Sequence, residues 1–527
     1  MLTMLTTAAF SQETAQSFSI IPEPVEIKPA EGKFTIDRST RIIAGKELTA
    51  TARFFTDYVN KHLGYPLITD KKEKGGNEIV LVNLNNAHAN GGYTLEVNPE
   101  KIIIKGNDQS GVFYGIQTLI QLLPTRAGVL PSIPAVAITD YPRFGYRGMH
   151  LDVVRHYFPV EYIKKYLDYM ALHKLNYFHW HLTDDQAWRI EMKSHPKLTS
   201  FGSNREGEIF GLYPGVYKDL PYGGYYTQEE AREIVAYAAE RFITVIPEID
   251  IPGHNMAVLA TYPHFSTTPD EPKKAALTWG IYNKFNNVLA PKPEVFAFLK
   301  DVFSELSDIF PGPYIHVGGD ECAKRWWQES EQAQEFMKEK GLKDEKALQS
   351  YFIHYVQDVV SAKGKTVIGW DEILEGGIDR NCVIMNWRRT NHGINAAKKQ
   401  YNVIMTPSAY FYFNKIQSRN QSEIGPGSVL PLKKVYDFNI PEELNEEESA
   451  YIMGIQGCLW TEYTSTTWKV EFNLFPRLSA LAENAWSQKK DWDNFVRKMP
   501  DQFDRYDLWG ARYSESFFRM YDIPRKR

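Results

Sequence analysis

Hydrophobic spacing divides the chain into two textures. Over residues 18–140, short apolar runs at 25–27, 34–36, 41–43, 78–83, 92–97 and 101–105 predict strands. Asn98-Pro99-Glu100 turns the last two into a hairpin. Two stretches carry helical spacing instead: 47–63, with Leu48, Phe54, Phe55, Tyr58 and Val59, and 111–123, which Pro124 ends. Runs of strands with two helices predict a small α+β domain over 18–142. The proline-rich stretch 131–142 reads as the connection out of it.

Beyond that stretch the spacing alternates. Strand-like runs fall at 146–153, 175–181, 243–249, 314–317, 366–370, 382–387, 403–408 and 452–459. Helical spacing falls at 160–173, 228–241, 293–310, 347–363, 393–399 and 471–486. Eight strands interleaved with helices over ~350 residues predict an α/β fold, a (β/α)8 TIM barrel over 143–490. A doubly wound sheet is the alternative, but no Gly-rich phosphate loop follows the first strand. Residues 491–527 are expected to form a C-terminal extension packing on the barrel.

Polar side chains gather where the predicted strands end. Asp152 and Arg155 follow the first; His179, His181, Asp184 and Asp185 the second; Glu248, Asp250 and His254 the third. Asp320 and Glu321 follow the fourth, and Trp370, Asp371 and Glu372 the fifth. Trp387 closes the sixth, Tyr410, Tyr412 and Asn414 follow the seventh, and Trp460 and Glu462 the eighth. In a barrel these ends form one rim, where sites are built. One charged residue on the rim is ordinary solvation; a full circuit of them is a site. At its centre lies Gly318-Gly319-Asp320-Glu321, where two glycines let the strand turn and deliver adjacent carboxylates. Two acids so close take different protonation states.

Composition narrows the chemistry. Net charge is -5, which favours no nucleic acid or other polyanion as a partner. The three cysteines, Cys322, Cys382 and Cys458, are too few and too separated for a disulfide framework or zinc cluster and read as buried thiols. No apolar run reaches the ~20 residues of a membrane span. Residues 1–10 are apolar and end in small residues, like a signal peptide without its basic start, so 1–17 are expected to be a signal-peptide remnant and the protein periplasmic or secreted. Aromatics make up 14% of the chain, and rings stack on sugar faces. Carboxylates between aromatic walls suit a glycosidic bond: one acid protonates the leaving oxygen while an anion stabilises the positive charge growing on the sugar. His179-x-His181 with Asp184 is open to a second reading as metal ligands, since both rings share one strand face. The same residues serve equally as support for the acid. No cofactor and no metal are expected.

Four segments in order, Leu151-Asp152-Val153-Val154-Arg155-His156-Tyr157, His179-Trp180-His181-Leu182-Thr183-Asp184-Asp185, Glu248-Ile249-Asp250-Ile251-Pro252-Gly253-His254 and His316-Val317-Gly318-Gly319-Asp320-Glu321, resemble the family 20 glycoside hydrolases, the β-N-acetylhexosaminidases. The resemblance runs from about Phe18 to Trp486. It implies a retaining exo-hydrolase acting on a glycan with a terminal N-acetylhexosamine, whose own 2-acetamido oxygen attacks the anomeric carbon. By match to the motifs, Glu321 is the general acid and Asp320 orients the acetamido N–H. Tyr412 binds the acetamido oxygen, with Tyr410 as competitor, since Tyr410-Phe411-Tyr412 is expected to put both rings on one strand face. Trp370, Trp387 and Trp460 wall the pocket, and Arg155 and Glu462 bind ring hydroxyls. His254 with Asp184 or Asp185 supports the acid. Many relatives have Asp where Asn414 stands; with Lys415 after it, this corner carries less negative charge, which is open to two readings: an amide serving as an ordinary hydroxyl ligand, or tolerance of a 6-sulfated sugar. The remaining alternatives are a disaccharide-releasing or endo-acting barrel enzyme and a non-catalytic carbohydrate-binding barrel.

Overall fold

The computed structural model describes residues 18–523 except 87–90, 127, 213–214, 278–280 and 420–424. The signal-like stretch 1–17 lies outside the described residues. Eight parallel strands close into a barrel in chain order: Tyr146–Asp152, Tyr177–His181, Thr244–Glu248, Tyr314–His316, Thr366–Trp370, Val383–Asn386, Asn402–Met405 and Ile452–Leu459. The last pairs with the first through Gly454↔Tyr146 to Leu459↔Leu151. Helices wrap the outside, each with its apolar positions turned to the strands. Gln228–Ala239 buries Ala231, Ile234 and Ala238 at helical spacing, and Thr227 and Glu230 start it with a reciprocal capping box. Pro293–Ile309 and Glu345–Ala362 do the same on a larger scale.

The N-terminal domain is a seven-stranded mixed sheet ordered Glu26–Thr35, Ser132–Asp140, Tyr93–Val97, Lys101–Gly106, Glu78–Asn83, Arg41–Ile43 and Ile68–Asp70. Its helix Gln109–Leu122 is buried at every position from Gly111 to Gln121, with Gln117, Thr118 and Gln121 among mostly apolar side chains: Phe113 meets Phe242, and Tyr114 meets Trp486 of the barrel domain. Lys174 and Asp140 form a fully buried ion pair at 2.9 Å across this seam, with the Tyr93 hydroxyl and Trp486 indole N–H also donating to Asp140.

Four expectations need correction. Residues 131–142 are not a loose connection; Ser132–Asp140 is the second strand of the sheet. Pro134 is tolerated there because it lies before Val136, where pairing on the second side begins, and beside a register shift in the first. The runs 25–27 and 34–36 belong to one strand, Glu26–Thr35, interrupted by that same shift. The stretch 471–486 is two helices, Thr467–Leu474 and Arg477–Trp486, because Pro476 cannot continue the first. The seventh barrel strand ends at Met405, and Ser408–Phe411 is a helical turn, so Tyr410 and Tyr412 do not share a strand face.

After Trp486 the chain continues as the helix Trp492–Leu508, which buries Phe495, Met499, Phe503 and Tyr506 and ties back to the first described residues through Lys498 to the Ile20 carbonyl. Cys322, Cys382 and Cys458 are buried and unpaired. Among the described residues no helix is long and apolar enough to cross a membrane.

Candidate active site

The Gly-Gly turn is held by a carboxylate from the neighbouring loop. Asp250 Oδ1 accepts the Gly319 amide at 3.0 Å and packs so closely under Gly318 that any Cβ there would collide with it. Gly318 also takes a φ of 64°, which glycine adopts without strain. The turn throws Asp320 inward and leaves Glu321 at the edge, with side chains 14% and 40% exposed. Glu321 and His254 both take positive φ, at 43° and 53°, and backbone strain in ordinary residues of this kind concentrates at functional sites.

His254 Nε2 lies 3.5 Å from Glu321 Oε2 and 3.7 Å from Asp320 Oδ2. Its other nitrogen, Nδ1, faces Asp184 Oδ1 at 3.1 Å and Asp185 Oδ2 at 3.2 Å. The structure therefore brings both aspartates to the histidine, with different supports. Asp185 is fastened by the Met256 amide and Asn287. Asp184 is bound by Arg155 Nη2 at 2.6 Å and by His181 Nε2 at 2.9 Å. Arg155 also pairs with Asp152 at 3.4 Å and lies 5.2 Å from the Trp460 ring centre. It is thus both an ion-pair partner and a rim residue.

Trp370, Trp460, Trp387 and Tyr412 form the walls. Trp370 and Trp460 are buried and 6.0 Å apart; Tyr412 stands 6.1 Å from Trp460 and stacks on Trp387 at 14°. Tyr410 instead packs against Phe438 and takes no part in this wall. Burial pushes the Tyr412 phenol well above its usual range, so it stays a neutral hydrogen-bond donor. Among the described residues, Asp320 Oδ1, Glu462 Oε2, Arg155 Nε and Asn414 Oδ1 are buried without a hydrogen-bond partner. Buried polar atoms left unmatched are costly, and several at one rim mark where a polar ligand fits. Lys415 is committed elsewhere: its ammonium donates to the Ser408 carbonyl at 2.6 Å.

Outside Glu321 opens a cavity of 620 Å3, lined by Tyr282, Trp387, Glu372 and Arg388 among others. Glu372 receives the Trp387 indole N–H at 2.9 Å. Sequence reasoning placed Glu372 on the rim without a role; Trp387, 15 residues on and just past the neighbouring strand Val383–Asn386, gives it a partner. Burial, with Asp371 and Asp320 adding to it, pushes the Glu372 carboxyl up to about 9.

The two central acids differ in the direction opposite to simple expectation. Burial raises the Asp320 carboxyl above its ordinary value against the pull of His254. Burial acts on Glu321 too, but the hydrogen bond and charge of His254 overcome it and hold that carboxyl low. His254 itself is pushed well above its ordinary value, since Asp184 and Asp185 outweigh its burial. The shifts of His254 and Asp320 thus favour their protonated forms, and that of Glu321 favours its anion. An aglycone in the outer cavity removes water from the exposed Glu321 and raises it, while a donor reaching Asp320 Oδ1 lowers that acid.

Donor atoms of His150, His179 and Glu248, of Asp184, Asp185 and His254, and of Asp250, His254 and Asp320 lie within 4.8 Å of one another in each group, the spacing a metal would require. His181 and Asp184 join by a hydrogen bond instead, so they form a relay.

A parallel barrel carrying paired carboxylates in an aromatic-walled pit at its C-terminal rim is built as a glycoside hydrolase. The catalytic-domain model of glycosyl hydrolase family 20 matches residues 144–489, and that family's domain 2 matches residues 17–141. The chain belongs to glycosyl hydrolase family 20. It is 41% identical over 516 residues to a beta-hexosaminidase of Porphyromonas gingivalis, covering 95% of this chain and 65% of that protein. It thus spans just under two thirds of that relative's length. A beta-hexosaminidase of Akkermansia muciniphila is 36% identical, over 81% of this chain and 87% of its own. Among solved structures, the exo beta-N-acetylglucosaminidase of Vibrio harveyi with N-acetylglucosamine superposes with a TM-score of 0.85 at 30% identity, covering 97% of this chain and 81% of that one. The beta-N-acetylhexosaminidase of Bacteroides fragilis gives 0.81 at 30% identity, over 96% and 99%.

Proposed function

We propose that this chain is an exo-acting, retaining β-N-acetylhexosaminidase that removes terminal N-acetylglucosamine or N-acetylgalactosamine from glycans by substrate-assisted catalysis. The observation that carries the reading is Asp320: a buried carboxylate with an unmatched oxygen, one residue from an exposed acid on the open cavity. A carboxylate so placed accepts the acetamido N–H and stabilises the positive charge that develops as the acetamido oxygen attacks the anomeric carbon. The sugar becomes an oxazolinium ion, the leaving oxygen takes the Glu321 proton, and Glu321 then accepts a proton from the water that opens the ring. Tyr412 donates to the acetamido oxygen. Trp370, Trp387 and Trp460 enclose the acetamido methyl and the sugar face, while Arg155 and Glu462 receive the ring hydroxyls. The relatives named above as hexosaminidases support the same activity. Asn414 is read as a hydroxyl ligand; because Lys415 is tied to Ser408, a 6-sulfate finds no waiting cation there.

Residence in the periplasm or outside the cell rests on the apolar stretch 1–10, and N-terminal sequencing of the mature protein tests it. The activity is tested by following hydrolysis of an N-acetylglucosamine oligomer by proton NMR. Single sugars released first as the β-anomer are expected. Early α-anomer contradicts retention, and disaccharide release contradicts the one-sugar pit.

A further inference from the structure

Below the pit, inside the barrel, one carboxylate touches three parts of the site. Glu248 ends the third barrel strand and is fully buried. Its Oε2 lies 2.5 Å from His181 Nδ1 and 3.0 Å from His179 Nε2. Its Oε1 receives the Trp370 indole N–H at 2.8 Å and lies 3.0 Å from His316 Nδ1. Each neighbour leads upward. His181 Nε2 reaches Asp184, which reaches His254, which faces Glu321. Trp370 is a wall of the pit. His316 Nδ1 also meets the Gly318 amide at 3.0 Å, the start of the turn that carries both acids.

A buried carboxylate is expensive, and apolar side chains would fill a barrel interior at least as stably. A charge retained here therefore calls for a role beyond packing. Charges alternate along the relay. His179, His181 and His316 hold Glu248 well below the usual carboxylate range despite its burial. Burial disfavours charge on His181, but Glu248 and Asp184 push it up to about 10. Asp184, buried as well, is held far down by Arg155 and His254. The result is anion, cation, anion, cation, acid, running from the barrel centre to Glu321.

We propose that Glu248 is a positioning residue for the hydrolysis: through His181 and Asp184 it fixes the orientation and charge of His254 behind Glu321, and through Trp370 it fixes the wall of the sugar pit. The proposal rests on the reading of Glu321 as the proton donor. The charged and titratable groups facing His254 are Asp184, Asp185, Asp250, Asp320 and Glu321, with Arg155 one step behind Asp184. Without Glu248, His181 keeps only Asp184 of the two anions that hold its proton, so the cation behind Asp184 is weakened and Glu321 holds its proton more tightly.

Glu248→Gln keeps the acceptor for Trp370 and removes the charge. It is expected to lower kcat roughly 3- to 30-fold on a substrate with an alkyl leaving group, to change KM little, and to move the basic limb of the kcat/KM profile to higher pH. His181→Gln cuts the relay while leaving Glu248 on Trp370, so it is expected to move the same limb in the same direction, and it covers the case in which Glu248→Gln does not fold. Folded variants with unchanged kcat on that substrate and an unmoved limb overturn the proposal, because a role in packing alone shifts thermal stability and not the pH profile. Glu321→Gln measured alongside separates the two levels of the argument. If it still hydrolyses the alkyl glycoside, the assignment of the acid fails, and the proposal about Glu248 falls with it.

Discussion

Lys174→Met is the most direct test of how the N-terminal domain is fastened to the barrel. The Lys174 ammonium and the Asp140 carboxylate are both fully buried and 2.9 Å apart. The ammonium also lies 4.5 Å from the Trp486 ring centre and donates to the Tyr93 hydroxyl. Methionine keeps the unbranched stem and removes only the charge, leaving Asp140 with the Tyr93 hydroxyl at 2.6 Å and the Trp486 N–H at 3.0 Å. Removing one partner of a buried pair costs ~3–5 kcal/mol, because the other charge stays behind without a counterion. The two neutral donors that remain place the expected loss at the low end, ~3 kcal/mol. With an unfolding entropy of ~2 cal/mol/K per residue over roughly 500 residues, this is a fall in Tm of about 3 °C. Calorimetry at neutral pH reads it. The isolated carboxylate acquires a raised pKa, so it protonates in the folded state first. The penalty therefore shrinks as pH falls, and the double variant Lys174→Met with Asp140→Asn should recover most of the loss. A single variant whose Tm stays within about 1 °C of the parent between about pH 5 and 8 would refute the reasoning.

Three further outcomes follow from the site. On the proposed mechanism Tyr412→Phe removes a donor to the acetamido oxygen and should lower kcat by ~10²–10³, whereas Tyr410→Phe, against Phe438, should leave it within about twofold. Glu321→Gln should slow an alkyl glycoside far more than an activated aryl glycoside, since an acidic phenol leaves without a proton; equal losses on both would assign Glu321 another role. Glu372, raised to about 9 from an ordinary 4.5, contributes stability that is fully present below about 4.5 and is lost as pH rises through about 9. Glu372→Gln should accordingly flatten the alkaline fall in Tm, and parallel curves for parent and variant would contradict this.

Much of this arrangement was legible in the residues themselves. The barrel strands declared themselves because interior runs such as 243–249 and 452–459 are largely apolar and lead into polar residues, Asp250 after the first and Glu462 after the second, which is what a rim requires. The acids at 320–321 were legible for the same reason, with two glycines marking the turn. Less local features were not. Ser132–Asp140 hides as a strand because Pro134 argues against central pairing, and only the register with Glu26–Thr35 and Tyr93–Val97 shows where it escapes the ladder. The helical turn at Ser408–Phe411 broke an alternation argument about Tyr410 and Tyr412: Tyr412, chosen to bind the acetamido oxygen, stacks on Trp387, while Tyr410 packs on Phe438. Direct contacts in the relay from Glu248 to Glu321 join residues as far apart in sequence as Asp184 and His254, 70 positions. No spacing rule within one element could have connected them. The opposite pKa directions of Asp320 and Glu321 likewise depend on a balance no spacing reveals: burial outweighs the pull of His254 at Asp320, and the hydrogen bond and charge of His254 outweigh burial at Glu321.

The measurement that bears most directly on the central claim is release of the aryl alcohol from an aryl N-acetyl-β-glucosaminide beside the matched β-glucoside, which differs only in lacking the acetamido group. Turnover of the first with none of the second is the predicted result, because the attacking oxygen belongs to the substrate. Equal turnover of both would contradict it: the nucleophile would then have to come from the protein or from water, and Asp320 would lose the role assigned to it.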